Sequence, residues 1–156
     1  MDVVRAAEVN RLHGVVTSVI VYENEPLKEV TAKLASNPTI RGIFVVDSQG
    51  NFTGVITRVD LMKWVHLKLF GGKGRELSIG EIFRLIYANK AKDLLRRDLF
   101  SITVKENGTL QAALDRMIDY GEDIIPVLDK DGKIIGDLTV NKVLSALQAE
   151  KRQLLE

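Results

Sequence analysis

The chain has 156 residues, 22 Lys and Arg against 21 Asp and Glu, and 46% hydrophobic residues. This composition is typical of a globular protein that buries a core without disulfides or structural metals. The lack of cysteine excludes thiol catalysis and cysteine metal sites, and His13 and His66 are too few for an all-histidine catalytic zinc site. The near-zero net charge also argues against a nucleic-acid partner.

No segment of the sequence reads as a signal peptide or a membrane span. The longest apolar runs, IFVV and IIPVL, have the length of strands. A membrane helix needs about 20 apolar residues, and a signal peptide needs a continuous apolar stretch. We therefore expect a cytoplasmic protein that has no membrane partner.

The sequence of residues 1–68 predicts an N-terminal helix followed by a strand, a helix, two strands and a second helix. A β-branched strand, VTSVIV, precedes a helix with apolar residues at helical spacing from Leu27, and Pro26 fits its first turn. Two strands, IFVVD and FTGVIT, then flank a turn. A second helix follows, for which Thr57 is the candidate N-cap.

Residues 69–90 interrupt this pattern as an insert. Its first part, LFGGKGREL, has neither of the glycine spacings of nucleotide-binding loops, so we expect a mobile basic loop. Ser78 followed by Glu81 predicts a capping box, and an apolar stripe predicts a helix from about Ile79 to Asn89. The stripe consists of Ile79, Ile82, Phe83 and Ile86.

Residues 91–156 repeat the first half and end in a helix. SITVKENGTL matches SVIVYENEPL at five of ten positions, and DKDGKIIGDLT matches DSQGNFTGVIT at both glycines and the final threonine. The Asp-Gly turn predicts a hairpin, and Thr109 is a candidate helix cap. A unit of about 50 residues is too small to bury both faces of its sheet, so we expect the two copies to pack on each other.

The duplicated order and the pattern VVDSQGNFTGVITRVD, repeated as PVLDKDGKIIGDLTVNK, resemble a tandem pair of cystathionine β-synthase (CBS) domains, the Bateman module. The resemblance implies an α/β (α+β) fold of two β-α-β-β-α repeats with pseudo-twofold symmetry, plus the helical insert. It also implies a regulatory module that binds AMP, ADP, ATP or S-adenosylmethionine, forms a homodimer and controls a partner protein. No cofactor, metal or catalytic residue is implied.

The first repeat carries the candidate ligand site. Thr57 and Asp60 lie on one side of a helix start, where main-chain amides attract phosphate and one carboxylate can accept two ribose hydroxyls. The same T-x-x-D spacing is also that of a plain helix cap without a ligand. By register with the family, the remaining candidate contacts are Thr17, Ser18, Ile43, Val55 and Arg58.

The second repeat departs from this pattern. Lys142 stands where the first repeat has Asp60, and Asp137 stands where it has Val55. Lysine donates hydrogen bonds and accepts none, so this weaker cleft has either lost ribose recognition or serves a phosphate. Its candidate contacts are Thr103, Thr139 and Lys142.

Two further function classes compete with the nucleotide sensor. A ligand-free dimerisation or interaction scaffold would use the same fold and present the insert to a partner. An enzyme is not expected, since the motifs contain no nucleophile with a base, no metal cluster and no close carboxylate pair. Trp64, in the closing helix of the first repeat, is assigned to core or dimer packing.

Overall fold

Two three-stranded sheets organise the computed structural model, which describes residues 18–37, 39, 42–95, 102–145 and 148. Residues 18–95 fall in one unit and residues 102–145 in another. Each unit has the element order β-α-β-β-α, so the predicted duplication and fold class are confirmed. The N-terminal helix and most of the C-terminal helix were predicted for residues outside those described.

The first sheet consists of β1 (Val19–Tyr22), β2 (Ile43–Val46) and β3 (Phe52–Ile56), in that order. Strand β1 runs parallel to β2, and β2 runs antiparallel to β3. Parallel neighbours require a crossover connection, which helix α1 (Leu27–Ser36) supplies. Pro26, expected in the first turn of this helix, is instead its N-cap residue, with extended backbone angles.

Helix α2 (Arg58–Phe70) begins where sequence predicted it. Thr57 Oγ1 accepts a hydrogen bond from the Asp60 main-chain N–H at 3.1 Å, which is the geometry of an N-cap. The helix ends at Gly71, whose φ of 64° lies in the left-handed region that glycine adopts without steric cost. Sequence therefore located the start of α2, whereas Leu69 and Phe70, which were predicted to begin the loop of the insert, form the end of this helix.

The insert contains helix α3 (Ile79–Tyr87), which ends two residues before the predicted Asn89. Ser78 Oγ accepts from the Glu81 N–H at 3.1 Å, so the predicted cap is present. A short 3₁₀ turn, Ala91–Leu94, follows. The element order of the insert thus matches its sequence signals.

Helix α3 of the insert and the 3₁₀ turn after it both pack into the first unit, although the turn falls in residues 91–156, which the sequence assigned to the second repeat. Leu85 and Leu94 are fully buried in one cluster with the strand residues Val21 and Ile43. The segment after α3 also pairs with the β1–α1 turn, because the Leu27 N–H donates to the Asn89 carbonyl at 2.9 Å. The insert is therefore part of the first unit's core.

The second sheet consists of β4 (Val104–Lys105), β5 (Ile124–Leu128) and β6 (Ile134–Thr139), with helix α4 (Leu110–Tyr120) between β4 and β5. Its pairings are again parallel and then antiparallel. Residues 140–145 and 148 are the described residues of helix α5. The two sheets therefore have the same topology.

The hairpin turns of the two units are built alike. Asp129 Oδ1 accepts from the main-chain N–H groups of Asp131 and Lys133 at 2.8 and 3.0 Å. Asp47 makes the same two hydrogen bonds within its own turn. Gly132 has a φ of 82°, as the Asp-Gly signal predicted. Within the described ranges, no helix is both long and apolar enough to cross a bilayer.

Candidate functional site

The two faces of the first sheet have different roles. Ile43, Val45 and Ile56 belong to the core cluster that includes α1 residues. Phe44 and Val55 are cross-strand partners, and because side chains alternate along a strand they lie on the opposite face. Val55 is therefore on the face away from α1, and Ile43 could meet a ligand only through its backbone.

The entry to β1 is the second part of the predicted site. Ser18 directly precedes the strand and is 9% exposed. The Val19 N–H donates to the Gly42 carbonyl at 3.0 Å, which ties this entry to the segment before β2. Thr17 lies outside the described residues, and Ser18 remains a predicted contact.

The start of α2 holds the three polar candidates. Thr57 is half-buried, Arg58 is exposed on the first helical residue, and Asp60 is fully buried. The Thr57 side chain caps the helix, so the structural role of the T-x-x-D spacing is established. The ligand-binding role of Thr57, Arg58 and Asp60 stays a prediction.

Asp60 has a charged neighbour that the sequence did not indicate. Arg84 Nη2, on the insert helix α3, lies 3.6 Å from Asp60 Oδ2. The same nitrogen donates to the Leu94 carbonyl at 2.9 Å. A fully buried carboxylate requires a compensating charge or hydrogen bonds, and Arg84 supplies a positive charge beside it.

Two more polar contacts join α2 to the insert. Lys63 Nζ pairs with Glu81 Oε1 at 2.8 Å. Trp64 Nε1 donates to the Ala88 carbonyl at 3.0 Å while its ring packs against the core cluster. Trp64 thus takes part in core packing, one of its two predicted roles. Together with Arg84, these contacts fix α3 against the helix that carries Asp60.

The corresponding helix start in the second unit has the opposite charge. Thr139 Oγ1 caps it by accepting from the Lys142 N–H at 3.1 Å. Lys142 Nζ then donates to Asp137 Oδ1 at 2.8 Å and to the Asp137 carbonyl at 2.9 Å. Asp137 is fully buried, and Thr103, the third candidate here, is half-buried before β4.

The Lys142–Asp137 pair helps to distinguish the two predictions for this second site, which are a loss of ribose recognition and a phosphate site. The Lys142 ammonium compensates the charge of a buried carboxylate in this structure, so a phosphate bound there would compete with this pair. The contact therefore favours the loss of ribose recognition over a phosphate site. The sequence already indicated this pair, because Asp137 and Lys142, the two positions at which the second repeat departs from the first, carry opposite charges.

A groove of about 370 Å³ runs between α1 and α2 on the first unit. Met62, Leu69 and Phe70 border it and are 62 to 69% exposed. His66 also lines this groove, with its ring 5.3 Å from that of Phe70. In the part of the chain that the structure describes, no three His, Cys, Asp or Glu side chains are grouped to hold a metal ion.

Comparison with known proteins gives a family for both units. The model of the CBS domain family matches residues 14–67 and 91–149. A search of curated proteins by sequence found no match.

Solved structures give the same fold. CBSX2 from Arabidopsis thaliana, solved in complex with AMP, superposes with a TM-score of 0.70 at 21% identity, over 92% of this chain and 97% of that one. A CBS domain-containing protein from Thermotoga maritima gives 0.68 at 25% identity, over 93% and 94%. The CBS domain pair of protein MJ0100, in complex with 5′-methylthioadenosine and S-adenosyl-L-methionine, gives 0.64 at 17% identity, over 91% and 96%.

Proposed function

The chain belongs to the CBS domain family, and we propose that it is a regulatory module that binds an adenosine-containing ligand through its first repeat and controls a partner protein. The observation that carries the proposal is the buried Asp60 carboxylate on the first turn of α2, directly after a strand and a threonine cap. An acidic group at this position suits the two adjacent hydroxyls of a ribose.

The chemistry of the helix start supports this assignment. A carboxylate is an acceptor only, so it pairs well with two hydroxyl donors, and charge-assisted hydrogen bonds are about twice as strong as neutral ones. The hydroxyl of Thr57 accepts the capping bond and can still donate. Arg58, exposed on the first helical residue, would contact a phosphate near the positive end of the helix dipole. The adenine ring would lie against Val55, the Ile43 backbone, Thr17 and Ser18.

One ligand per chain is the expected stoichiometry. The second repeat retains the threonine cap at Thr139 but replaces the acid with Lys142, which is paired with Asp137. A ribose there would meet a donor in place of an acceptor. Thr103, Thr139 and Lys142 are therefore proposed as structural positions.

The ligand class follows from the carboxylate and from the relatives. AMP is bound by CBSX2, and 5′-methylthioadenosine and S-adenosyl-L-methionine are bound by the CBS pair of MJ0100. All three carry adenosine and so present the same ribose hydroxyls. AMP, ADP, ATP and S-adenosylmethionine form the panel to be tested.

Thermal unfolding with this panel tests the proposal. A ligand at about 100 times its Kd stabilises the folded state by about 2.7 kcal/mol, which raises the Tm of a protein of this size by about 5 to 10 °C. Asp60→Asn should abolish the rise because an amide nitrogen replaces one acceptor oxygen. Asp119→Asn, at an exposed position of α4, is the matched control and should keep it. No rise with any of the four compounds, or the same rise in Asp60→Asn, would contradict the proposal.

Dimerisation is proposed to use the apolar groove between α1 and α2. Its exposed border of Met62, Leu69 and Phe70 has the character of a surface buried in an assembly. Met62→Glu should convert a dimer to a monomer in sedimentation velocity, whereas a monomeric wild-type protein would contradict this part of the proposal.

The exposed face of α3 favours the scaffold as a second candidate function. Phe83 and Tyr87 are 55% and 73% exposed, and their rings stack with centroids 6.2 Å apart. A scaffold predicts no response to any adenosine compound but altered assembly in Phe83→Glu. Stabilisation of the wild-type protein by one of the four compounds would exclude the ligand-free version.

A further inference from the structure

We infer that Arg84 is a positioning residue for Asp60, supplied by the insert so that a buried acid can stand at the proposed ribose site. This inference rests on the proposed function and adds a residue from outside the repeat to it. Asp60 is fully buried, and burying an ionised carboxylate without a compensating charge is strongly unfavourable. Arg84, 30% exposed, brings that charge to 3.6 Å from Oδ2.

Arg84 is held in place by a group other than Asp60. Its Nη2 donates to the Leu94 carbonyl at 2.9 Å, whereas its 3.6 Å separation from Asp60 Oδ2 exceeds the length of a hydrogen bond. The guanidinium is thus anchored on the 3₁₀ turn Ala91–Leu94. It provides a fixed positive charge, and ribose hydroxyls need not displace it.

The two repeats arrange their charges differently. In the second repeat the buried acid lies on the strand as Asp137, and its countercharge, Lys142, stands at the helix start. In each described unit a buried aspartate therefore lies beside a basic side chain. Only the first repeat, with its base on a separate helix, leaves the helix-start position to a carboxylate.

Binding measurements on three variants test the role of Arg84. Arg84→Met removes the charge, Arg84→Lys keeps it, and Lys63→Met breaks the Lys63–Glu81 contact between the same two helices without touching Asp60. AMP, ADP, ATP and S-adenosylmethionine are each titrated by calorimetry into the full chain. We expect affinity to fall at least about 10-fold in Arg84→Met, to stay within about 3-fold of wild type in Arg84→Lys, and to be unchanged in Lys63→Met.

Trp64 separates positioning from helix packing. It is the only tryptophan of the chain, and its indole is hydrogen-bonded to the residue that follows α3. We expect the emission maximum of Arg84→Met to equal that of wild type, because Lys63, Trp64 and buried Leu85 still hold α3 in place. A red shift that accompanies the loss of affinity would show a merely structural role and overturn the inference.

The remaining outcomes distinguish this inference from the proposed function. Equal losses in Arg84→Met and Lys63→Met, or unchanged affinity in Arg84→Met while Asp60→Asn loses binding, overturn the role of Arg84 alone. A wild-type protein that binds none of the four compounds, or an Asp60→Asn variant that binds normally, overturns the proposed function and this inference with it.

Discussion

The two repeats start their closing helices with the same cap and opposite charges. Thr57 and Thr139 each accept a main-chain hydrogen bond at 3.1 Å from the residue three positions later. That residue is Asp60 in the first repeat and Lys142 in the second. Both copies thus have the same threonine N-cap, whereas the side chain at the proposed ligand position differs between them.

The source of the countercharge differs as well. The second repeat pairs Lys142 with Asp137 five residues away, inside the repeat itself. In the first repeat the countercharge, Arg84, lies on helix α3, 24 residues after Asp60. The two repeats therefore differ in the arrangement of their buried charges, although their sheet topology is the same.

The largest expected effect comes from breaking the internal pair of the second repeat. Lys142→Met leaves Asp137 buried without its countercharge and should lower the free energy of unfolding by about 3 to 5 kcal/mol. The double variant Asp137→Val/Lys142→Met removes both charges and restores an apolar residue like Val55, so it should cost less than about 1 kcal/mol. Urea denaturation of the two variants measures this coupling. A double variant that is destabilised at least as much as Lys142→Met would contradict the pairing.

The next effect tests whether the insert belongs to the first repeat. Leu85 is fully buried in the core cluster, so Leu85→Ala should lower the free energy of unfolding by about 2 to 5 kcal/mol. Phe83→Ala, on the exposed side of the same helix, should change it by less than about 0.5 kcal/mol. If the two substitutions proved equally harmless in urea denaturation, α3 would be an accessory to the fold.

The substitutions with the smallest expected effect on stability give the most informative comparison of the two repeats. Thr57→Ala and Thr139→Ala each remove a helix cap and should each cost about 1 kcal/mol. Only Thr57→Ala should also weaken adenosine-ligand binding, by several-fold, because only that cap stands beside an acid. Unfolding and calorimetric titration of both variants provide the measurements. A similar loss of affinity in Thr139→Ala would place a ligand in the second repeat.

The sequence correctly predicted the features that depend on residues close together in the chain. The repeat, the order of strands and helices, the Asp-Gly turn and the caps at Thr57, Ser78 and Thr109 all depend on residues within a few positions of each other, and the structure contains them. The start of α2 was predictable for the same reason. Local patterns therefore carried most of the fold.

The contacts of the insert were not predictable in this way. Arg84 and Asp60 are 24 residues apart, and their approach depends on which face α3 turns toward α2. The apolar stripe of α3 predicted the helix but did not identify its buried side, since Ile79 and Phe83 are 74% and 55% exposed while Leu85 is buried. By contrast, the Lys142–Asp137 pair could have been found from sequence, because both changes lie on adjoining elements and carry opposite charges.

The stoichiometry of ligand binding tests the central claim most directly. Calorimetric titration of the full chain with AMP, ADP, ATP and S-adenosylmethionine should show one site per chain for each compound that binds. That site should be lost in Asp60→Asn and retained in Asp137→Val/Lys142→Met. Two equivalent sites per chain, or a single site that survives Asp60→Asn, would contradict the assignment of ligand binding to the first repeat.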